Sequence, residues 1–145
     1  VFDKIAVVGA NTEAGREIIG LIDKRGLPCK GILPLDEGVS PETSVDFRGE
    51  EVPVYSLGAN SFRGCDLAFF AAGESVSARF VPEATRQGCM VIDVSEYSRR
   101  DPKVPLVIPE VNPEAIAGHS GVIASPCPST VIWRLPLCPF TRLHL

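Results

Sequence analysis

Cys127 is the residue from which covalent chemistry would start. It lies in Ser125-Pro126-Cys127-Pro128-Ser129-Thr130, a thiol between two prolines with two hydroxyls after it. A thiol becomes a working nucleophile when its surroundings lower its pKa, as a helix amino terminus can. The competing reading is a small, half-buried thiol that only packs. A second stretch, Gly9-Ala10-Asn11-Thr12-Glu13-Ala14-Gly15, has the spacing of a phosphate-cradling loop. Gly9 would permit a tight strand-to-helix turn and Gly15 a close helix–strand approach, so that the amides opening the helix face a pyrophosphate. The competing reading is a plain turn with one packing glycine. Thr12 stands where a glycine would let backbone approach phosphate, and Glu13 adds a negative charge there that costs on the order of 1 kcal/mol.

These residues need elements to hold them. Residues 4–9, KIAVVG, are apolar and β-branched and read as a buried parallel strand. Residues 12–26 read as a helix, with Ile18, Ile19, Leu21 and Ile22 on one face and Gly26 as its stop. Residues 30–35 form the next strand, which completes a βαβ unit. Residues 43–56 alternate around Arg48-Gly49-Glu50 and predict a hairpin. A strand at 65–73 leads to a helix at 75–88, with Ser75 as N-cap, Gly88 as stop, and Pro82 expected to kink or shorten it. Strands follow at 89–95 and 121–125. Between them, 104–112 is extended and proline-broken, a candidate edge, and 112–118 is a short helix capped by Asn112 with Pro113 in its first turn. Strands alternating with helices predict an α/β fold, a doubly wound Rossmann-type parallel sheet in a single domain. In such sheets ligands bind outside the carboxyl ends of the strands. Gly9–Gly15, Ala71–Val76, Ser95–Arg99 and Ser125–Thr130 fall there.

Composition narrows the partners. The chain of 145 residues carries a net charge of −4 and no Lys/Arg block, which argues against nucleic acid and against an anionic membrane. No apolar run reaches the length of a membrane span. The five cysteines form no C-x-x-C pair, fitting a reducing cytoplasm and neither a disulfide framework nor a zinc site. His119 and His144 are isolated and read as surface residues.

IAVVGANTEAGRE, FFAAGESVS, VIDVSEYSRRDPKVPLVIPEVNPEAI and GVIASPCPST together resemble the aspartate-semialdehyde dehydrogenase family, in order and spacing, over nearly the whole chain. The resemblance implies reduction of aspartyl phosphate to aspartate semialdehyde with NADPH, a step of amino-acid biosynthesis. In that reaction a cysteine thiolate attacks the acyl phosphate, phosphate leaves, and hydride reduces the thioester. It also implies the site. Gly9, Asn11, Thr12, Glu13 and Gly15 correspond to the family's dinucleotide loop. Ala71, Ala72 and Gly73 correspond to its Ser-Ala-Gly loop near the nicotinamide, with Glu74 where a glycine is usual. Arg99 takes the place of the phosphate-binding arginine, and Asn112 matches the asparagine of the Glu-Val-Asn stretch.

Some positions depart from the family. Aligned without gaps, Pro128 fills the nucleophile's place and Cys127 that of the preceding asparagine. Val94 replaces an asparagine and Ile132 a glutamine. Family analogy points to NADP, whereas Asp36 and Glu37 after the second strand favour a free ribose diol and hence NAD. Residues 1–130 read as the dinucleotide-binding domain. Residues 131–145 read as an apolar, proline-interrupted tail where the family's second domain would begin, so that turnover by this chain alone is not expected. A homodimer or a missing second domain is the partner implied. The alternative is a noncatalytic relative acting as a nucleotide-binding or protein-interaction module.

Overall fold

The computed structural model describes residues 1–132. The tail of residues 133–145, with Arg142 and His144, lies outside the described residues. β1 (Phe2–Val8), α1 (Glu13–Lys24) and β2 (Cys29–Asp36) form the opening βαβ unit. β3 (Ser44–Phe47) and β4 (Glu50–Pro53) make an antiparallel hairpin, and β5 (Tyr55–Ser56) follows. β6 (Leu67–Phe70), α2 (Glu74–Arg86), β7 (Met90–Asp93), α3 (Glu96–Arg99), a 3-10 turn (Pro113–Gly118) and β8 (Val122–Ala124) complete the set, and a further helix opens at residue 128.

All pairings in the main sheet are parallel, in the order β5-β2-β1-β6-β7-β8. The chain runs outward from β1 through β2, then returns to β6 and runs the other way. The switch point therefore lies between β1 and β6. Alternation along β1 divides the core: Ile5 and Val7 face α1 and the hairpin, while Ala6 and Val8 face α2. All four are fully buried, as expected for the central strand of a sheet covered on both faces.

The hairpin turns where the sequence places it, with Arg48 at φ 57° and Gly49 at φ 79°. It forms a separate two-stranded sheet, and the Arg48 guanidinium donates to the Leu27 and Cys29 carbonyls, tying it to the start of β2. Residues 104–112 add only one parallel bridge, Leu106 to Ala124. Proline keeps that segment from a longer ladder.

Three local expectations are corrected. Helix α2 starts at Glu74, so its N-cap is Gly73 and Ser75 lies in the first turn. Pro82 neither ends nor shortens the helix, which continues through Arg86. Its ring is exposed while Phe80, Val81 and Ala84 are buried, so packing on the sheet outweighs the lost backbone bond. Asn112 makes no side-chain cap. Its Oδ1 accepts from the Ile108 amide at 2.8 Å and its Nδ2 donates to the Leu106 carbonyl at 2.9 Å, so it staples its own loop.

Candidate functional site

The glycine loop bends at the end of β1, where the Gly9 and Ala10 amides both donate to the Leu35 carbonyl, at 2.8 and 3.1 Å. Gly9 has φ +81°, and a Cβ there would lie 2.8 Å from the Ala72 nitrogen. A Cβ on Gly15 would lie 2.1 Å from the Gly9 carbonyl oxygen. Both contacts are with backbone, so no side-chain rotation relieves them. The two glycines thus let the loop, the first turn of α1 and the Ala71–Ala72 segment close on one another.

Thr12 adapts to this closure. It is the N-cap of α1: its Oγ1 accepts from the Gly15 amide at 3.0 Å and faces the carbonyls of Gly9 at 2.7 Å and Ala71 at 3.2 Å. The hydroxyl is spent inside the turn, and among the described residues no hydrogen bond engages the Glu13 or Ala14 amide. Two donors at a helix amino terminus remain for an anion. The Glu13 side chain is exposed. Asn11 belongs to the same turn: its amide donates to Asp36 Oδ2 at 3.0 Å, while Asp36 Oδ1 accepts from the Glu37 amide at 2.8 Å. Asp36 is thereby fixed at the end of β2, facing the loop. Asn11 Oδ1 is buried with no partner. Ala72 and Gly73 lie on the other side, between β6 and α2.

A second group gathers at the ends of β7 and β8. Asp93 is fully buried and accepts from five donors: the hydroxyls of Ser77, Ser95 and Ser98 and the amides of Ser95 and Ser98, at 2.6–3.3 Å. This carboxylate fixes the turn from which α3 starts. On that turn Arg99 donates from Nε to the Ser95 carbonyl at 2.9 Å and from Nη2 to the Val94 carbonyl at 3.2 Å. The Val94 side chain lacks an amide, but its backbone still aims the guanidinium.

Cys127 immediately precedes the helix that opens at Pro128. Proline suits that first position because the amide it lacks would be unpaired there. The Cys127 sulfur lies 2.9 Å from Ser129 Oγ and 3.1 Å from Thr130 Oγ1. The Ser129 hydroxyl first, then the Thr130 hydroxyl and amide, with a smaller pull from the Arg99 cation, bring the thiol from 9.0 down to about 7. The buried Cys89 moves the opposite way, to about 12, chiefly through desolvation. Asn112 and Thr130 share a cavity of about 140 Å³ with Leu106, Ile108, Val111 and Pro126, which brings Asn112 beside the Cys127 helix. Ile132 is exposed.

The structure therefore collects the expected residues into two groups on one edge of the sheet. Gly9, Asn11, Thr12, Glu13, Gly15, Asp36, Ala72 and Gly73 surround the switch point, and Arg99, Asn112 and Cys127 lie beyond it. Sequence reading missed Thr12 as a cap, although a hydroxyl just before a helical run is a capping signal. It also missed Asp93, for which no local pattern exists. His119 accepts from the Gly121 amide at 3.0 Å, a local turn contact.

Residues 4–119 match the family model described as semialdehyde dehydrogenase, NAD binding domain. An aspartate-semialdehyde dehydrogenase of Synechocystis sp. is 35% identical over 141 residues, and one of Bacillus subtilis is 38% identical over 140. Each alignment takes in 97% of this chain but only 42% and 40% of those relatives, so the chain spans less than half their length. The solved aspartate semialdehyde dehydrogenase II of Vibrio cholerae, complexed with ASA, superposes with a TM-score of 0.88 at 32% identity, over 97% of this chain and 46% of that one. The Candida albicans enzyme with NADP, 22% identical with a TM-score of 0.75, shares the fold. Sheet order, loop geometry and sequence converge: the chain belongs to the semialdehyde dehydrogenase family and comprises its NAD binding domain.

Proposed function

We propose that this chain is the dinucleotide-holding part of an aspartate-semialdehyde dehydrogenase-like oxidoreductase, and that it becomes a catalyst only together with the remaining length such relatives have. The observation that carries the reading is the cradle at the switch point. Gly9 and Gly15 leave no room for a Cβ, and the Glu13 and Ala14 amides are unengaged. Those amides would hold the pyrophosphate of NAD or NADP, and Asp36, with lone pairs to spare on both oxygens, would accept from the ribose. Ala72 and Gly73 lie toward β7, the side to which the nicotinamide would extend. When bound, the dinucleotide supplies the hydride.

The chain's own residues would prepare the carbon that receives it. The Cys127 thiolate attacks an acyl phosphate carbon; a carbon–sulfur bond forms, the carbon–oxygen bond to phosphate breaks, and phosphate leaves with that electron pair. Arg99, steadied on the Ser95 and Val94 carbonyls, offers its remaining N–H groups to the phosphate. Asn112 keeps the 106–112 loop closed beside this site. The substrate would be a small phosphorylated amino-acid metabolite. The four described cysteines are free thiols, which fits a reducing compartment such as the cytoplasm. A homodimer completed by a second domain is the assembly expected.

Titration of the chain with NADH and NADPH tests the reading, through nicotinamide fluorescence and melting temperature. Saturable binding with a raised Tm is expected for at least one of them. No stabilisation at millimolar concentration of either would overturn it.

A further inference from the structure

We infer that the Glu37–Arg79 ion pair sets the choice of dinucleotide, favouring NAD by keeping a nearby cation neutralised. The inference rests on the dinucleotide reading of the glycine loop and extends it to the ribose end.

Asp36 is pinned to the loop by the Asn11 amide, so its carboxylate stands where a ribose at that cradle would bring its hydroxyls. A diol can donate to it. A 2′-phosphate cannot, and it carries a charge of about −1.5 to −2. Glu37 follows at once and adds a second carboxylate. From the other side, Arg79 in the first half of α2 reaches back, its Nη1 3.0 Å from Glu37 Oε1. The pair thus joins the end of β2 to α2, whose N-cap Gly73 follows the Ala71 and Ala72 backbone on which Gly9 packs. Both side chains are largely solvated, at 61% and 42% exposure. Such pairs hold each other weakly and rearrange readily. A guanidinium suited to phosphate is therefore present at the ribose end, but its charge is met by Glu37. Removing the Glu37 charge has two effects of the same sign on a 2′-phosphate: it deletes a repulsion and releases Arg79. A 2′-hydroxyl feels little of either.

The test is a paired fluorescence titration with NADH and NADPH on the unaltered chain, Glu37→Gln, Arg79→Ala and the double variant. The unaltered chain is expected to bind NADH more tightly. Glu37→Gln should tighten NADPH by about threefold to tenfold, the range for one gained charge-assisted contact near the surface, and leave NADH within about twofold. Arg79→Ala alone should change NADPH little, and the double variant should lose the gain. Tighter NADPH binding by the unaltered chain, equal changes for both cofactors, or a gain that survives Arg79→Ala would each overturn the inference while leaving the dinucleotide reading intact. Binding of neither cofactor would overturn both.

Discussion

Replacing Gly15 by alanine adds one methyl group to the first turn of α1, and the structure shows where it must go. Its carbon would lie 2.1 Å from the Gly9 carbonyl oxygen, 2.8 Å from the Gly9 carbonyl carbon and 3.0 Å from the Ala10 Cα. Each of these is backbone, so relief requires the loop and helix to separate by about 1 Å. Overpacking of this kind costs about 1–3 kcal/mol. The separation also pulls the Gly15 amide from the Thr12 hydroxyl, and losing an N-cap costs about 1 kcal/mol. Gly15→Ala is therefore expected to destabilise by about 2–4 kcal/mol, a large part of the roughly 5–15 kcal/mol that holds a domain together. Gly20 in the same helix supplies the control, because a Cβ there meets nothing within 4 Å. Gly20→Ala removes a mid-helix glycine and should stabilise by up to about 1 kcal/mol. Urea denaturation of the three proteins gives the comparison, with the midpoint moving down for Gly15→Ala and up for Gly20→Ala at similar m-values. Equal midpoints for the two variants, or a Gly15→Ala protein as stable as its parent, would refute the close-approach reasoning on which the cradle rests.

The remaining predictions concern the second group of residues and the edge that holds them. Alkylation of Cys127 should rise with pH through a midpoint of about 7, because protonation below that value removes the thiolate; Ser129→Ala should move the midpoint upward, and pH-resolved labelling with mass-spectrometric site assignment reads both. Cys89 should stay unlabelled in the folded protein across that range, since burial raises its thiol to about 12. Asp93→Ala strands five donors in the core and should cost about 3 kcal/mol or more, measured as the shift in urea midpoint. Asn112→Ala opens the 106–112 loop and should speed amide exchange of Ile108, whose N–H it holds, while Ala6 at the sheet centre stays protected.

The hairpin shows how much a local pattern can carry: Arg48-Gly49 is a two-residue turn with both residues at positive φ, and its position follows from the alternation on either side. The βαβ opening was legible for the same reason, since a β-branched run, a glycine and a helical apolar stripe each act over a few residues. Gly9 and Gly15 were readable as glycines that a turn and a close approach require. Pro82 does not shorten α2 because its local preference lost to the burial of Phe80, Val81 and Ala84 on β6 and β7. Asn112 was misread because its side chain had two uses of similar local plausibility, and the 106–112 loop decided between them.

Sequence alone settled the alternation of strands and helices, the glycine loop and the family to which the chain belongs. Tertiary structure alone decided that Thr12 caps α1 while facing Ala71 just after β6, that Asp36 holds Asn11, that Asp93 gathers serines from α2 and α3, and that Arg79 answers Glu37. The division has one physical origin. Backbone preference and hydrophobic period are properties of short segments, whereas the partner of a polar group is fixed by which strands become neighbours when the sheet forms.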